Sequence, residues 1–293
     1  MGGREYGGVQ GDVIDPAEYR QASRDRWSRA AAGWDAQADG LQRAVMPVSS
    51  WMIDAIRPQP GHTVLELAAG PGITGLLAAE LVQPGGRLIC SDFAEPMLEV
   101  ARQRAARLGV DNVEFRVIDA ESIDLEAASV DGVLCRWGYM VMVDPAAALR
   151  ETRRVLRPGG RVALAAWDAP EHNPWASAPM AALVERGLVQ PPPEAPGIFA
   201  FAGTGKVEGL LGEAGFVEVE VDTIDVEMAH DSLDAYLAVT TDCSRPFADA
   251  VEGLDAETRA GVDAAIGEAL APFRAQDGSL RLPGRALVAA ATA

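Results

Sequence analysis

TVLELAAGPGITG, residues 63–75, decides how this chain folds. Thr63–Ala68 is a short apolar run of strand length. Gly70-Pro71-Gly72 then turns the backbone sharply, and Thr74–Val82 continues with helical character. A strand that enters a helix through a glycine turn is the opening half of a β-α unit. The glycines serve the turn and also let a ligand come close to the backbone.

Outward from this unit the rhythm repeats. Gln83-Pro84-Gly85-Gly86 is a turn, Arg87–Ser91 a second strand and Pro96–Leu108 a second helix. Val113–Ile118 and Val130–Cys135 give strands three and four, and Pro145–Leu156 the next helix. Arg157-Pro158-Gly159-Gly160 leads into strand five, Arg161–Trp167. Alternating strands and helices predict a doubly wound α/β fold, with a mostly parallel sheet between helical layers. Upstream, residues 15–60 have helical spacing, with Asp15-Pro16 as the start and Pro58, Pro60 and Gly61 as the stop. Downstream, Pro170–Pro196 reads as a loop-and-helix insertion and Gly205–Ala214 as a helix. Phe216–Val226 alternates as a strand, 232–274 read as helices, and Ser279–Ala291 supplies a last strand. The expected organisation is a lead-in and helical cover at 1–60, a ligand-binding core at 61–167, and 168–293 as insertion helices and last strands completing the same domain.

Composition narrows the partners. The 293 residues carry 25 Lys+Arg against 43 Asp+Glu, a formal charge of −18. Nucleic acid or an anionic membrane surface needs a basic footprint, so neither is expected as a partner. No apolar run approaches a membrane span. Three scattered cysteines, Cys90, Cys135 and Cys243, show no metal-ligand spacing and suit a reducing cytoplasm. No metal is expected. The Gly-rich start, Met1 to Asp12, lacks the apolar core of a signal peptide and reads as a disordered lead-in.

The ligand is constrained by three carboxylates. Gly70-Pro71-Gly72-Ile73-Thr74-Gly75 fits G-x-G-x-x-G, a pattern shared by nicotinamide-dinucleotide and S-adenosylmethionine sites. Glu66 lies four residues before Gly70. A dinucleotide would lay an anionic pyrophosphate at this helix start, where a carboxylate opposes it. S-adenosylmethionine has a sulfonium and an ammonium, which a carboxylate suits. Asp92, at the end of strand two, can accept from both ribose hydroxyls of either ligand. Asp119, after strand three, can accept from an adenine amino group.

VLELAAGPG (64–72), SDFAEPML (91–98), IDAES (118–122) and LRPGG (156–160) together resemble class I S-adenosylmethionine-dependent methyltransferases. The nearest flavour is the ubiquinone and menaquinone biosynthesis methyltransferase group. The resemblance is dense over 62–167. The final RLPGRALVAAA is similar to the last sheet strand of that group. It implies a Rossmann-like, seven-stranded sheet with an antiparallel last strand. It also implies S-adenosylmethionine as cofactor and S-adenosylhomocysteine as product. By motif position, Glu66, Ala68, Gly70 and Gly72 would flank the methionine part and Asp92 the ribose. Phe93 and Met97 would pack beside the adenosine, Asp119 and Ala120 would meet adenine, and Arg136 would lie near the methionine tail and the acceptor. Other signatures of the quinone enzymes are absent to the eye, which leaves the acceptor open.

Methyl transfer needs alignment and water exclusion more than a fixed catalytic motif. His172, His230 and Tyr139 are the candidates for a base. Trp34, Trp137, Tyr139 and Trp175 are the candidate lining of an apolar acceptor pocket, roofed by 15–56 and 170–200 as helical lids. Trp27 and Trp51 read as packing residues. The expected activity is methyl transfer to a small hydrophobic or aromatic molecule. The alternatives are a nicotinamide-dependent oxidoreductase and a non-catalytic S-adenosylmethionine-binding protein. Oligomeric state is not specified.

Overall fold

A computed structural model describes residues 15–190 and 196–293. The glycine-rich start expected to lack order lies outside them. Seven strands form one sheet: β1 (Thr63–Glu66), β2 (Arg87–Asp92), β3 (Val113–Val117), β4 (Val130–Arg136), β5 (Leu156–Trp167), β6 (Val217–His230) and β7 (Leu280–Thr292). Their order is β3-β2-β1-β4-β5-β7-β6. The first five pair in parallel, and β7 runs antiparallel between β5 and β6. The sheet is the mixed, mostly parallel one that the glycine-punctuated pattern predicts.

Burial explains why each strand sits where it does. Central strands have both faces covered, so they need unbroken apolar sequence. Val64 and Leu65 in β1, Val133 to Cys135 in β4 and Val162 to Trp167 in β5 are all buried. The edge strands β3 and β6 instead interleave charge: Glu114 and Arg116 in one, Glu218, Glu220, Asp222, Asp225 and Glu227 in the other. Charge on an exposed edge discourages further strand pairing.

Helices α2 (Gly75–Leu81), α3 (Glu95–Leu108) and α4 (Pro145–Val155) are the crossovers between parallel strands. After β5 come α5 (Pro174–Glu185) and α6 (Thr204–Glu213); α7 (Leu233–Cys243), α8 (Arg245–Val251) and α9 (Ala256–Ala269) separate β6 from β7.

The longest element precedes the sheet. Helix α1 spans Pro16–Ile56 without a break, 41 residues, or about 60 Å of helix. Asp15 caps it by accepting from the Ala17 and Glu18 amides. Its end is core: Val45, Val48, Met52, Ile53 and Ile56 are buried. Ile56 packs where Gly132 leaves β4 without a side chain; a Cβ there would lie 3.1 Å from Ile56 Cδ1. Its middle rests on α7, with Trp34 Nε1 donating to the Cys243 carbonyl at 3.1 Å and Gln37 to Asp242 at 2.8 Å. The start of α1 projects beyond both, over the carboxyl ends of the strands.

Candidate active site

The sheet order reverses at β1. Strands β2 and β3 follow on one side and β4 on the other, so the carboxyl ends of β1 and β4 open a crevice where doubly wound sheets bind ligands. Two strained backbone positions lie there. Ala68 after β1 and Trp137 after β4 both adopt left-handed φ, 50° and 61°, without being glycine. Such residues cost on the order of 1–3 kcal/mol each and persist where the surroundings impose them. Here Gly138 fits directly against Ala68; a Cβ on Gly138 would lie 2.7 Å from the Ala68 Cβ and from Cys135 Sγ.

A cavity of about 120 Å³ fills this crevice. Ala68, Ala69, Gly70 and Pro71 form one wall, and Asp92, Phe93 and Met97 a second. Ile118 to Glu121 close a third side, and Arg136, Trp137 and Val141 to Val143 a fourth. Helix α1 supplies Tyr19, Arg20, Ser23, Trp27 and Trp34.

Asp92 is 6% exposed. Its Oδ2 accepts from the Gly70 amide and its Oδ1 from the Ala94 amide, both at 2.9 Å. The carboxylate thereby ties the glycine turn to the start of α3. Burial raises its pKa, while the amides of Ala94, Gly70 and Phe93 pull it back. Each oxygen keeps acceptor capacity for a ligand hydroxyl. Gly70 has φ 54°, and the place where its Cβ would stand is free of protein atoms to 4 Å. The bare backbone is therefore open to a ligand at that point.

Glu66 lies behind this wall, not in it. It is fully buried, and its Oε1 accepts from the Gly75 amide at 2.9 Å. A Cβ on Gly75 would lie 2.2 Å from Glu66 Oε2, so only glycine fits above the carboxylate. Burial pushes the Glu66 pKa up to about 7, against the Gly75 amide and the charge of Arg136. Gly72 also faces away from the cavity, toward Leu76 and Ala101. Both residues hold the loop in shape.

Arg136 brings a cation to the site from the end of β4. Its Nε donates to Thr74 Oγ1 at 2.9 Å, and Thr74 in turn bonds Ser49 of α1. Its guanidinium carbon stands 4.4 Å from the Trp137 ring centroid, a cation–π distance. Trp137 stacks at 4.2 Å on Trp167. Burial lowers the Arg136 pKa to about 10 in spite of Glu66. Among the described residues, no carboxylate comes within 4.0 Å of this guanidinium, although it lines the cavity. A half-buried cation of this kind, without a carboxylate partner, is suited to an anionic ligand group.

The remaining expected site residues fall into two sets. Phe93, Met97, Asp119, Ala120, Trp34 and Trp137 line the cavity. Trp175 does not: it stands edge-on behind Trp167 at 4.8 Å, with Nε1 bonded to Asn173, because α5 packs against β7 and α9. No described residue of 170–200 reaches the cavity, so α1 alone forms the cover. Tyr139 is buried against α4, its hydroxyl 2.6 Å from Thr152 Oγ1. His172 is bonded to Asp168 at 2.8 Å, and His230 stands edge-on to Tyr236; neither borders the cavity. Conversely Trp27, expected to be packing, lines the cavity, as do Tyr19, Arg20 and Glu121, which the sequence did not single out.

A methyltransferase domain model matches residues 67–164, the span from the glycine loop through most of β5. The nocamycin O-methyltransferase of Saccharothrix syringae is 30% identical over 204 residues, which cover 66% of this chain and 73% of that protein. The chain belongs to the class I S-adenosylmethionine-dependent methyltransferase family. Within that family, the demethylmenaquinone methyltransferase of Clavibacter sepedonicus is 40% identical over 116 residues, 40% of this chain. The match spans only 45% of that relative's length. YcgJ protein of Bacillus subtilis shares the fold, with a TM-score of 0.55 at 22% identity over 83% of this chain and 97% of that one. Methyltransferases of this class use S-adenosylmethionine, and the residues present fit it. Asp92 offers acceptors to a diol, Gly70 leaves the backbone open, and Arg136 offers a cation to a carboxylate. A dinucleotide fits poorly, because Glu66 already holds the Gly75 amide and places a carboxylate at the α2 start.

Proposed function

We propose that this protein transfers a methyl group from S-adenosylmethionine to a small hydrophobic or aromatic acceptor. The observation that carries the reading is the cavity at the β1/β4 switch point. It joins the Asp92 carboxylate and the unpaired Arg136 guanidinium to a roof of Tyr19, Trp27 and Trp34. In this reading Asp92 accepts from the ribose hydroxyls, and Phe93 and Met97 flank the adenosine. Asp119 and the Ala120 backbone meet the adenine edge. Ala68, Gly70 and Arg136 hold the methionine tail.

Bound S-adenosylmethionine supplies a methyl carbon already activated by a sulfonium leaving group. The chain's own residues then have to align an acceptor in line with that carbon and exclude water. The strained turns at Ala68 and Trp137 fix the two walls that face each other across the crevice, so little reorganisation is left for the reaction. Tyr19, Trp27, Trp34, Trp137, Val141 and Met142 supply apolar and aromatic surface for the acceptor. The net charge of −18 argues for a small molecule over a nucleic acid.

The test is transfer of labelled methyl from S-adenosylmethionine to a panel of small phenols, carboxylic acids and quinols, with RNA and DNA as further acceptors. Turnover on an apolar or aromatic member is expected. Turnover confined to nucleic acid would refute the acceptor class. Tight cofactor binding without turnover on any acceptor would favour the non-catalytic reading.

A further inference from the structure

The cavity is bordered by polar side chains that the cofactor reading leaves without a role, Arg20 and Glu121 among them. Glu121 follows the Asp119-Ala120 turn and is 7% exposed at its side chain. Its Oε1 accepts from the Val143 amide at 2.9 Å and the Asp144 amide at 3.2 Å. Its Oε2 takes the Arg20 guanidinium, through both Nε and a terminal nitrogen. One carboxylate thus joins the loop after β3, the loop after β4 and helix α1, which are three walls of the cavity. Beside Arg20 on the same helix, the Tyr19 hydroxyl donates to the Val141 carbonyl at 3.5 Å.

The attachment of α1 is uneven along its length. From Trp27 onward it is packed: Ala30 and Ala31 cluster with Ala94 and Met97, and Trp34 and Gln37 bind α7. Residues 16–26 contribute no residue to either apolar cluster, yet Tyr19, Arg20 and Ser23 line the cavity. These turns are tied to the rest of the site by polar contacts: the Arg20–Glu121 ion pair, the Tyr19–Val141 hydrogen bond and the Arg24 guanidinium 5.8 Å from the Phe93 ring centroid.

We propose that Glu121 is a positioning residue that latches the first three turns of α1 over the site through Arg20, and that breaking this pair sets the rate of ligand exit. The assignment rests on the cofactor reading above. It adds that the turn which would meet adenine also holds the lid, so the cofactor side of the cavity and the acceptor roof are mechanically joined.

The variants that test this are Glu121→Gln and Arg20→Met. A glutamine side chain can still accept from the Val143 and Asp144 amides, so the loops stay joined, while the charge that holds Arg20 is removed. Methionine keeps the apolar stem of Arg20 without the guanidinium. Stopped-flow dissociation of S-adenosylhomocysteine, read by the fluorescence of Trp27 and Trp34, is expected to accelerate about tenfold or more in each variant. That is the scale of one charge-assisted hydrogen bond. The double variant should be no faster than either single one, because both remove the same pair. Arg29→Ala, which breaks the exposed pair with Asp249 further along α1, should leave the rate within about twofold of the wild type. Unchanged rates in both single variants, or effects that multiply in the double variant, would overturn the latch. If the wild-type protein does not bind S-adenosylhomocysteine, the cofactor reading fails by itself. Amide exchange of residues 16–26 in the ligand-free protein then decides the latch: faster exchange in both variants supports it, and unchanged exchange overturns it.

Discussion

Asp92 and Glu66 are both buried carboxylates near the glycine loop, and the structure gives them opposite orientations. Asp92 faces the cavity and also carries two protein amides. Asp92→Ala should therefore do two things. Cofactor affinity should fall by about one to two powers of ten, the cost of lost charge-assisted bonds. The ligand-free protein should lose about 1–3 kcal/mol, because the Gly70 and Ala94 amides lose their partner. Calorimetry and urea unfolding measure the two effects separately; an unchanged dissociation constant would remove Asp92 from the site. Glu66 faces the protein interior, and its raised pKa makes a pH prediction with a definite sign. Its native value of about 7 lies above the ordinary 4.5, so the folded state binds the proton more tightly. Between those values the unfolded chain has released the proton and the native one has not. Stability from this group is therefore full below about pH 4.5 and is lost as pH rises toward 7. The difference amounts to about 3 kcal/mol. Glu66→Gln should gain stability relative to the wild type over that interval and hold a constant offset above it. An offset independent of pH from about 4 to about 8 would show that folding leaves the Glu66 pKa at its ordinary value.

At the scale of elements, α1 has two separable parts: an end that belongs to the core and a start that belongs to the site. Met52→Ala, in the buried part, should cost about 2–5 kcal/mol in urea unfolding. A loss below about 1 kcal/mol would mean that this end of the helix is not core. The sequence made the sheet legible because glycine and proline turns separate apolar runs too short to be helices. The runs at 63–68, 87–91 and 130–135 each became a strand within two residues of the expected ends. What the sequence could not show was which helical residues meet which loop. Trp27 and Trp175 are both tryptophans on helices beside the sheet, yet one lines the cavity and the other packs behind Trp167. Local spacing is blind to that difference, because it depends on how α1 and α5 dock. Arg20 and Glu121 are 101 positions apart, and no periodicity connects them. Glu66 was legible as important by its place before the loop, but its side chain lies on the opposite side of that loop from the cavity.

At the scale of the molecule, the doubly wound sheet puts the switch point, the glycine loop and the open end of β4 at one edge, and α1 folds back over them. The family pattern covers the cofactor half of this arrangement. In the proposed reading the acceptor half is built from α1 and the loop after β4. All of this chemistry depends on the ligand that the glycine loop accepts. The most direct measurement is isothermal titration of the intact protein with S-adenosylhomocysteine, alongside NADH under the same conditions. A micromolar-scale dissociation constant for S-adenosylhomocysteine, weakened in Asp92→Ala, and no heat from NADH is the predicted result. No binding of S-adenosylhomocysteine to folded protein at millimolar concentration, or saturable binding of NADH in its place, would contradict the account.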